Sequence, residues 1–344
     1  MKKPLLSVII PVFNRADTVG RIINRVLKQK MSDFELILVN DGSTDNSLAI
    51  LKKFAKQDKR VRVIDQPNRC GGPSGGRNTG LENAKGEFIL LLDSDDDIEP
   101  EMIPAMMKKQ QTTNADLVVC AIKEVFPIGK TIPLKIESKS IDTSKEDIVA
   151  FAIDAMGKIG SLVYNPTNRI MRSSIIKKHN LKYLENLRFG EDTEFNMRYL
   201  KYAKKIEIMS EMFYIYHRDS LNSTFSESSL DYNNRVRLKE FLWKFAKTSK
   251  SSSAHDLAVW VQVRWFLSYC KIVIQSNLNQ TEKKRRIIYA CEHEKFKKLS
   301  SQKVLSKKHQ MIIKATSCLI TRPRFFYCFI KMIVPISSVA KVFA

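Results

Sequence analysis

Gly86-Glu87-Phe88-Ile89-Leu90-Leu91-Leu92-Asp93-Ser94-Asp95-Asp96-Asp97 is the stretch on which the reading of this chain turns. Phe88 to Leu92 is an unbroken apolar run without polar alternation. Such a run suits a strand buried on both faces, as in a parallel sheet covered by helices. It leads straight into Asp93, Asp95, Asp96 and Asp97. Carboxylates crowded at a strand end repel one another unless a cation or a helix N-terminus compensates them. Open α/β sheets bind ligands at the carboxyl ends of their strands. Asp93 and Asp95, two residues apart, are spaced to hold one hard divalent cation against a phosphate-bearing ligand. The plainer alternative is a solvated turn that caps a helix, with Pro100 in its first turn.

The sequence before this stretch repeats its logic. Leu6 to Phe13 is a second continuous apolar segment, and Pro11 within it predicts that the end leaves the ladder and becomes loop. Val19, Ile22, Ile23, Val26 and Leu27 fall at helical spacing. Phe34 to Val39 predicts a strand that ends in Asn40-Asp41-Gly42-Ser43-Thr44-Asp45, a tight turn before a helix carrying Leu48, Leu51 and Phe54 on its buried side. Val61 to Ile64 is a short strand, and the glycine-rich loop 70–80 opens a helix that stops at Gly86. The β-α-β-α-β order with short connections predicts a doubly wound, mostly parallel sheet. Further on, 116–125 and 206–216 read as strands, and 142–157, 173–180 and 191–202 as helices. From about 230, Lys-rich helical segments take over at 233–247, 255–275 and 281–298. The chain therefore divides into an α/β region, 1–228, and a mainly helical basic region, 229–344.

Composition narrows the class. The 344 residues, 44% of them hydrophobic, describe a globular protein rather than a disordered one. The formal charge of +22 is unevenly placed: from Lys295 onward there are eleven Lys or Arg and no acidic residue. That asymmetry calls for an anionic partner. Nucleic acid is set aside, because no recognised binding module is present and the aromatics form no stacking platform. The segment 311–344 mixes large apolar residues with Lys314, Arg322, Arg324, Lys331 and Lys341, the pattern of an interfacial anchor on anionic lipid. Six cysteines without paired spacing predict reduced core thiols. Met1-Lys2-Lys3 before an apolar run imitates a leader peptide, but no cleavage site follows and the run fits a first strand. No run of eighteen residues is free of charge, so no membrane-spanning helix is expected.

Three predicted strand ends carry polar groups: Pro11-Val12-Phe13-Asn14, Asp41-Gly42-Ser43 and Asp93-Ser94-Asp95. Neither a dinucleotide fingerprint after the first strand nor a P-loop is present. Taken with Gly-Gly-Arg-Asn-Thr-Gly at 75–80, Leu-Asp-Ser-Asp-Asp at 92–96 and Phe-Gly-Glu-Asp-Thr-Glu-Phe at 189–195, the ordered set resembles the family 2 glycosyltransferases of GT-A fold over residues 5 to about 224.

The resemblance implies an inverting transfer of a sugar from a nucleotide-diphosphate donor, UDP-linked, to a hydroxyl of a cell-envelope, teichoic acid or exopolysaccharide glycan. The acceptor expected is a lipid-linked or phosphate-bearing glycan that the basic C-terminal region attracts, and the tail 311–344 predicts a peripheral place at the inner, cytoplasmic face of the plasma membrane. The resemblance implies Pro11 and Val12 beside the base, Asn14 and Ser94 in the donor site, and Asp41 accepting from base or ribose. Asp93 would contact the ribose, Asp95 would bind Mn²⁺ or Mg²⁺ at the diphosphate, and Arg77 and Asn78 would support the nucleotide loop. Asp192 would be the general base, supported by Glu191. His217 would join the metal, with Arg218, Ser220 and Ser223 closing over the phosphates. Tyr164 to Arg169 departs from the family's commoner version of that segment. The rival readings are a sugar-nucleotide nucleotidyltransferase and a catalytically dead nucleotide-sugar-binding scaffold.

Overall fold

The computed structural model describes residues 3–127, 129–158, 161–218, 230–249, 251–294, 305 and 307–333. Every residue of β1 (Leu6–Val12) is buried, as expected of a strand with helices on both sides. α1 (Val19–Leu27) covers it with Val19, Ile22, Ile23 and Val26. β2 (Phe34–Asp41), α2 (Ser47–Gln57) and β3 (Val61–Gln66) follow, then α3 (Pro73–Asn83) and β4 (Phe88–Leu91). These four strands are parallel in the order β3-β2-β1-β4, with Ile9 opposite Ile37 on one side and Leu91 on the other.

Pro11 corrects one expectation: it stays in the strand, opposite Val39. The Ile9 carbonyl accepts the Leu92 amide, so Ile9 faces β4 and Pro11, two residues on, turns to the same side beyond the end of β4. Its missing N–H therefore removes no ladder bond.

The second half of the sheet is mixed. It contains β5 (Asp97–Ile98), α4 (Met102–Thr113), β6 (Leu117–Val125), β7 (Thr131–Leu134) and β8 (Lys139–Asp142). These are followed by α5 (Ile148–Lys158), α6 (Ser161–Tyr164), β9 (Arg169–Arg172), α7 (Ser173–Lys178), α8 (Glu191–Leu200) and β10 (Lys205–His217). The full order is β3-β2-β1-β4-β9-β6-β10-β5, with β7 on β6 and β8 on β10. β9 lies antiparallel to both β4 and β6, while β10 runs parallel to β6, so parallel pairing is unbroken over β1 to β4 and interrupted beyond them. The helix expected over 142–157 starts later. Residues 139–142 pair with β10, and the Asp142 carboxylate then turns the chain by accepting the Ser144 amide at 3.0 Å.

Packing divides the chain into two compact units: Met1–Ile148 with Ile159–Ser223, and Val149–Lys158 with Thr224–Ala344. Besides the α5 segment, the second unit holds α9 (Tyr232–Ala246), α10 (Ser252–Gln275), α11 (Gln280–His293), α12 (Lys307–Leu319) and α13 (Pro323–Ile333). α9, α10 and α11 are capped by Asp231, Ser251 and Asn279, whose side chains accept amides of the first turn. By length and composition α10 is apolar enough to cross a membrane over Ser253–Gln275, but 67% of that window is buried, and it forms the core of this unit. The buried carboxylate of Glu294 accepts from Tyr232, Gln262 and Lys239, the partners such a group needs away from water.

Ile313 on α12, Ile320 just after it, and Phe326 and Ile330 on α13 are buried, so residues 311–333 of the expected tail form part of a helical core; 334–344 lie outside the described residues. All six cysteines are free thiols, but Cys318 and Cys328 are exposed rather than in the core.

Candidate active site

β2, β1 and β4 are neighbours, and their carboxyl ends bring Asp41, the Val12-Phe13-Asn14 segment and Asp93 to one edge of the sheet. One buried cation organises the charge there. Arg77, on α3 and 2% exposed, donates through Nη1 to Asp192 Oδ1 at 2.7 Å and through Nη2 to Asp93 Oδ1 at 2.8 Å. Glu191 Oε1 stands 3.8 Å from Nη1, and the guanidinium lies over the Tyr183 ring at 5.3 Å. Burial disfavours its charge, but Asp192 and then Asp93 outweigh burial and push the Arg77 pKa up. α3 can deliver this side chain because Gly80, one turn on, lies directly against β1; a methyl there would overlap Ile9 Cγ2.

Asp192 comes from a different part of the chain. Gly190, in the left-handed region at φ 81°, turns the backbone into α8, so Glu191 and Asp192 sit in its first turn. Carboxylates are favoured there by the helix dipole. The Asp192 side chain remains 20% exposed. Burial raises its pKa well above the usual carboxylate range, Arg77 opposes this, and Glu191 and Asp93 add to it. The group is therefore reachable and more basic than an exposed aspartate.

The four clustered aspartates have separate partners. Asp95, 38% exposed, accepts from Arg15 Nε at 3.2 Å, and burial followed by the Asp93 charge raises its pKa. Asp96 turns inward, accepts the Tyr214 hydroxyl and takes the His217 amide at 2.9 Å, tying the loop after β4 to β10. Asp97 pairs with Arg25 at 3.0 Å and takes the Ile98 amide. Only Asp93 and Asp95 of this set are left facing the site. Among the described residues no three His, Cys, Asp or Glu side chains come together as a ready-made cation cage.

The remaining expected residues that the structure describes are held by local partners or buried. Pro11 and Val12 are buried at the end of β1. Asn14, at φ 50°, accepts the Thr44 amide at 2.8 Å and donates its own amide to Ser43, locking the β1 and β2 loops together. Asp41 accepts from Gln66 Nε2 at 2.6 Å, and burial raises its pKa. Asn78 holds the other side of the cleft, donating to the Tyr183 carbonyl at 2.9 Å and accepting its amide at 2.7 Å. Ser94 is buried, and Arg218 is paired with Glu124 at 2.7 Å. Ser220 and Ser223 lie outside the described residues.

Sequence reading passed over four contributors. Phe13 stands 45% exposed beside Val12, an aromatic face at the site's edge. Arg15 covers Asp95, Asp96 anchors the loop, and Arg169 is fully buried behind Asp192, its pKa lowered to about 10 by burial. The signal for Phe13 was its position: a large apolar residue directly after a buried strand, before a turn. Tyr164 to Arg169, the divergent segment, serves the sheet: Asn168 and Cys120 exchange main-chain and side-chain bonds at 3.0 and 2.6 Å where β9 enters.

The fold is similar to that of residues 1–349 of TarS from Staphylococcus aureus, solved in complex with UDP. The TM-score is 0.65 at 19% identity, covering 98% of this chain and 91% of that one. It is also similar to the mannosyltransferase PcManGT from Pyrobaculum calidifontis, at TM-score 0.54 and 10% identity, covering 99% and 88%. The architecture is that of the GT-A class. Residues 7–179 match the model of glycosyl transferase family 2, half of the chain, and the chain belongs to that family.

Among relatives, the uncharacterized glycosyltransferase EpsJ of Bacillus subtilis is 32% identical over 223 residues, 64% of this chain and 62% of EpsJ. The poly(ribitol-phosphate) beta-glucosyltransferase of Bacillus spizizenii is 30% identical over 214 residues, 61% of this chain and 32% of that protein. The match thus spans about three-fifths of EpsJ and a third of the longer enzyme.

Proposed function

We propose that this chain transfers a sugar, with inversion, from a UDP-linked donor to a hydroxyl of a teichoic acid, exopolysaccharide or other cell-envelope glycan. One observation carries the reading: the Arg77 bridge sets Asp93 and Asp192 on either side of a single guanidinium. In a single displacement, one group must bind the donor while another removes the acceptor's proton. Asp192, reachable and made more basic by burial, suits the second role. Arg77 opposes that shift, favouring the ionised form, and aims the carboxylate. Asp93 takes the ribose, Asp41 a base or ribose group, and Phe13 offers its ring to the base.

The donor's diphosphate would be held by Asp95 through Mn²⁺ or Mg²⁺, with His217 and the phosphate oxygens completing the shell. A partly exposed carboxylate at a strand end, with no protein cage among the described residues, fits a cation that keeps water and phosphate ligands. Such a cation neutralises charge growing on the leaving diphosphate. Arg218 pairs with the buried Glu124 through Nε and Nη2, and its remaining N–H donors could reach a phosphate. The UDP and UDP-GlcNAc complexes of TarS, the Mn²⁺ complex of PcManGT, and the glycan named for the Bacillus spizizenii relative support this donor, cation and acceptor class.

Purified protein given UDP-sugars without acceptor should release UDP slowly, and only with Mn²⁺ or Mg²⁺. Formation of UDP-sugar and pyrophosphate from UTP and a sugar 1-phosphate, with no UDP released from UDP-sugars, would mark a nucleotidyltransferase and sink the proposal.

A further inference from the structure

We infer that the outward face of α12 and α13 is a docking surface for an anionic lipid bilayer. The inference does not rest on which sugar the active site moves.

Three independent features meet on these helices. The first is charge: residues 307–333 carry Lys307, Lys308, Lys314, Arg322, Arg324 and Lys331 and no acidic residue. Lys307, Lys314, Arg322, Arg324 and Lys331 take part in no ion pair among the described residues, whereas on neighbouring α11 both Arg285 and Arg286 are matched by Glu282. The second is apolar exposure. Met311 is 66% and Phe325 59% exposed, the two most exposed large apolar side chains among the described residues. The helices already have a core side, formed by Ile313, Ile320, Phe326 and Ile330, so these two are a second apolar feature rather than a displaced core.

The third is spacing. Lys307, Met311, Lys314 and Cys318, all exposed, fall at i, i+4, i+7 and i+11, one stripe of α12. Arg324, Phe325, Cys328 and Lys331, also exposed, make the corresponding stripe of α13. The first stripe alternates cations with apolar or weakly polar groups, and in the second two cations flank Phe325 and Cys328.

A lipid surface is the partner that satisfies both halves. Lys and Arg reach headgroup phosphates while Met and Phe enter the acyl boundary. A phosphate-bearing polymer would match the cations but leave Met311 and Phe325 in water. A second copy of this chain would bring like charges together. Unpaired cations near an anionic leaflet draw the protein from solution over about a Debye length, and the apolar pair then holds it.

The test is sedimentation of the full chain with vesicles of phosphatidylcholine alone or with phosphatidylglycerol added. The expected result is binding only when phosphatidylglycerol is present, weakened by salt. The variant carrying Met311→Ser and Phe325→Ser should partition roughly tenfold less, in line with two lost insertions. The variant carrying Arg322→Gln and Arg324→Gln should also bind less. All four positions are exposed, and an unchanged thermal melt checks that each variant folds. Wild-type protein left in the supernatant with phosphatidylglycerol overturns the inference, as does equal binding to neutral vesicles. A serine variant that binds like wild type while the glutamine variant fails also overturns it, since the face would then read phosphate alone.

Discussion

Arg77 holds two carboxylates that serve opposite ends of the proposed reaction, and the consequences can be measured separately. Asp192→Asn keeps the size of the side chain and removes its basicity. UDP binding by calorimetry should stay within a few-fold, while transfer falls by about 10²–10⁴, the usual contribution of a positioned base. If transfer survives within a few-fold, the base is another group. The pH profile follows from the direction of the Asp192 shift. Burial makes this carboxyl hold its proton at higher pH than an exposed aspartate, whose pKa is about 3.9. The base acts only when ionised, so kcat should drop as pH falls through that raised pKa. The acid limb should therefore lie above the ordinary carboxylate range. Arg77 stabilises the ionised form, so Arg77→Gln should move the limb to still higher pH.

At the scale of elements, α3 depends on its closeness to β1. Gly80→Ala would press a methyl into Ile9, and the helix that carries Arg77 would have to lift. Overpacking of this kind costs about 1–3 kcal/mol, to be read from urea denaturation, and activity should fall further than stability because Arg77 moves with the helix. A stable and fully active alanine variant would show that the contact does not set the position of Arg77. β9 makes the opposite point. Its four residues enter antiparallel between β4 and β6 and join the two halves of the sheet, although nothing in their composition announces a central strand.

For the whole molecule, a ligand that binds only the folded state raises the melting temperature. UDP with Mn²⁺ should shift the melt upward, by about 2.7 kcal/mol of stabilisation at a hundredfold excess over its dissociation constant. EDTA should remove the part that depends on the cation, and Asp95→Asn should show the smaller shift with or without Mn²⁺. If the shift is the same in EDTA, the donor binds without a metal. Deletion of residues 311–344 would be a poor probe of lipid binding, because Ile313, Ile320, Phe326 and Ile330 pack in the helical core and their loss would destabilise it.

Much of this protein was written in local pattern. Unbroken apolar runs marked β1, β2 and β4, helical spacing marked α1, and the five motifs in order marked the family, because burial acts on each element through neighbours close in sequence. Other features depend on partners far along the chain. Asp192 lies 115 residues from Arg77, so no window of sequence shows that they share a bond. The four aspartates after β4 read alike until Tyr214, 118 residues away, draws Asp96 inward and Arg25 draws Asp97 aside, leaving Asp93 and Asp95 for the site. Pro11 stays in its strand only because β4 ends beside it. Sequence by itself determined β1, β2 and β4, the motif order and the chemistry on offer. Tertiary structure decided how each carboxylate is paired and buried, because both depend on contacts that only folding brings together.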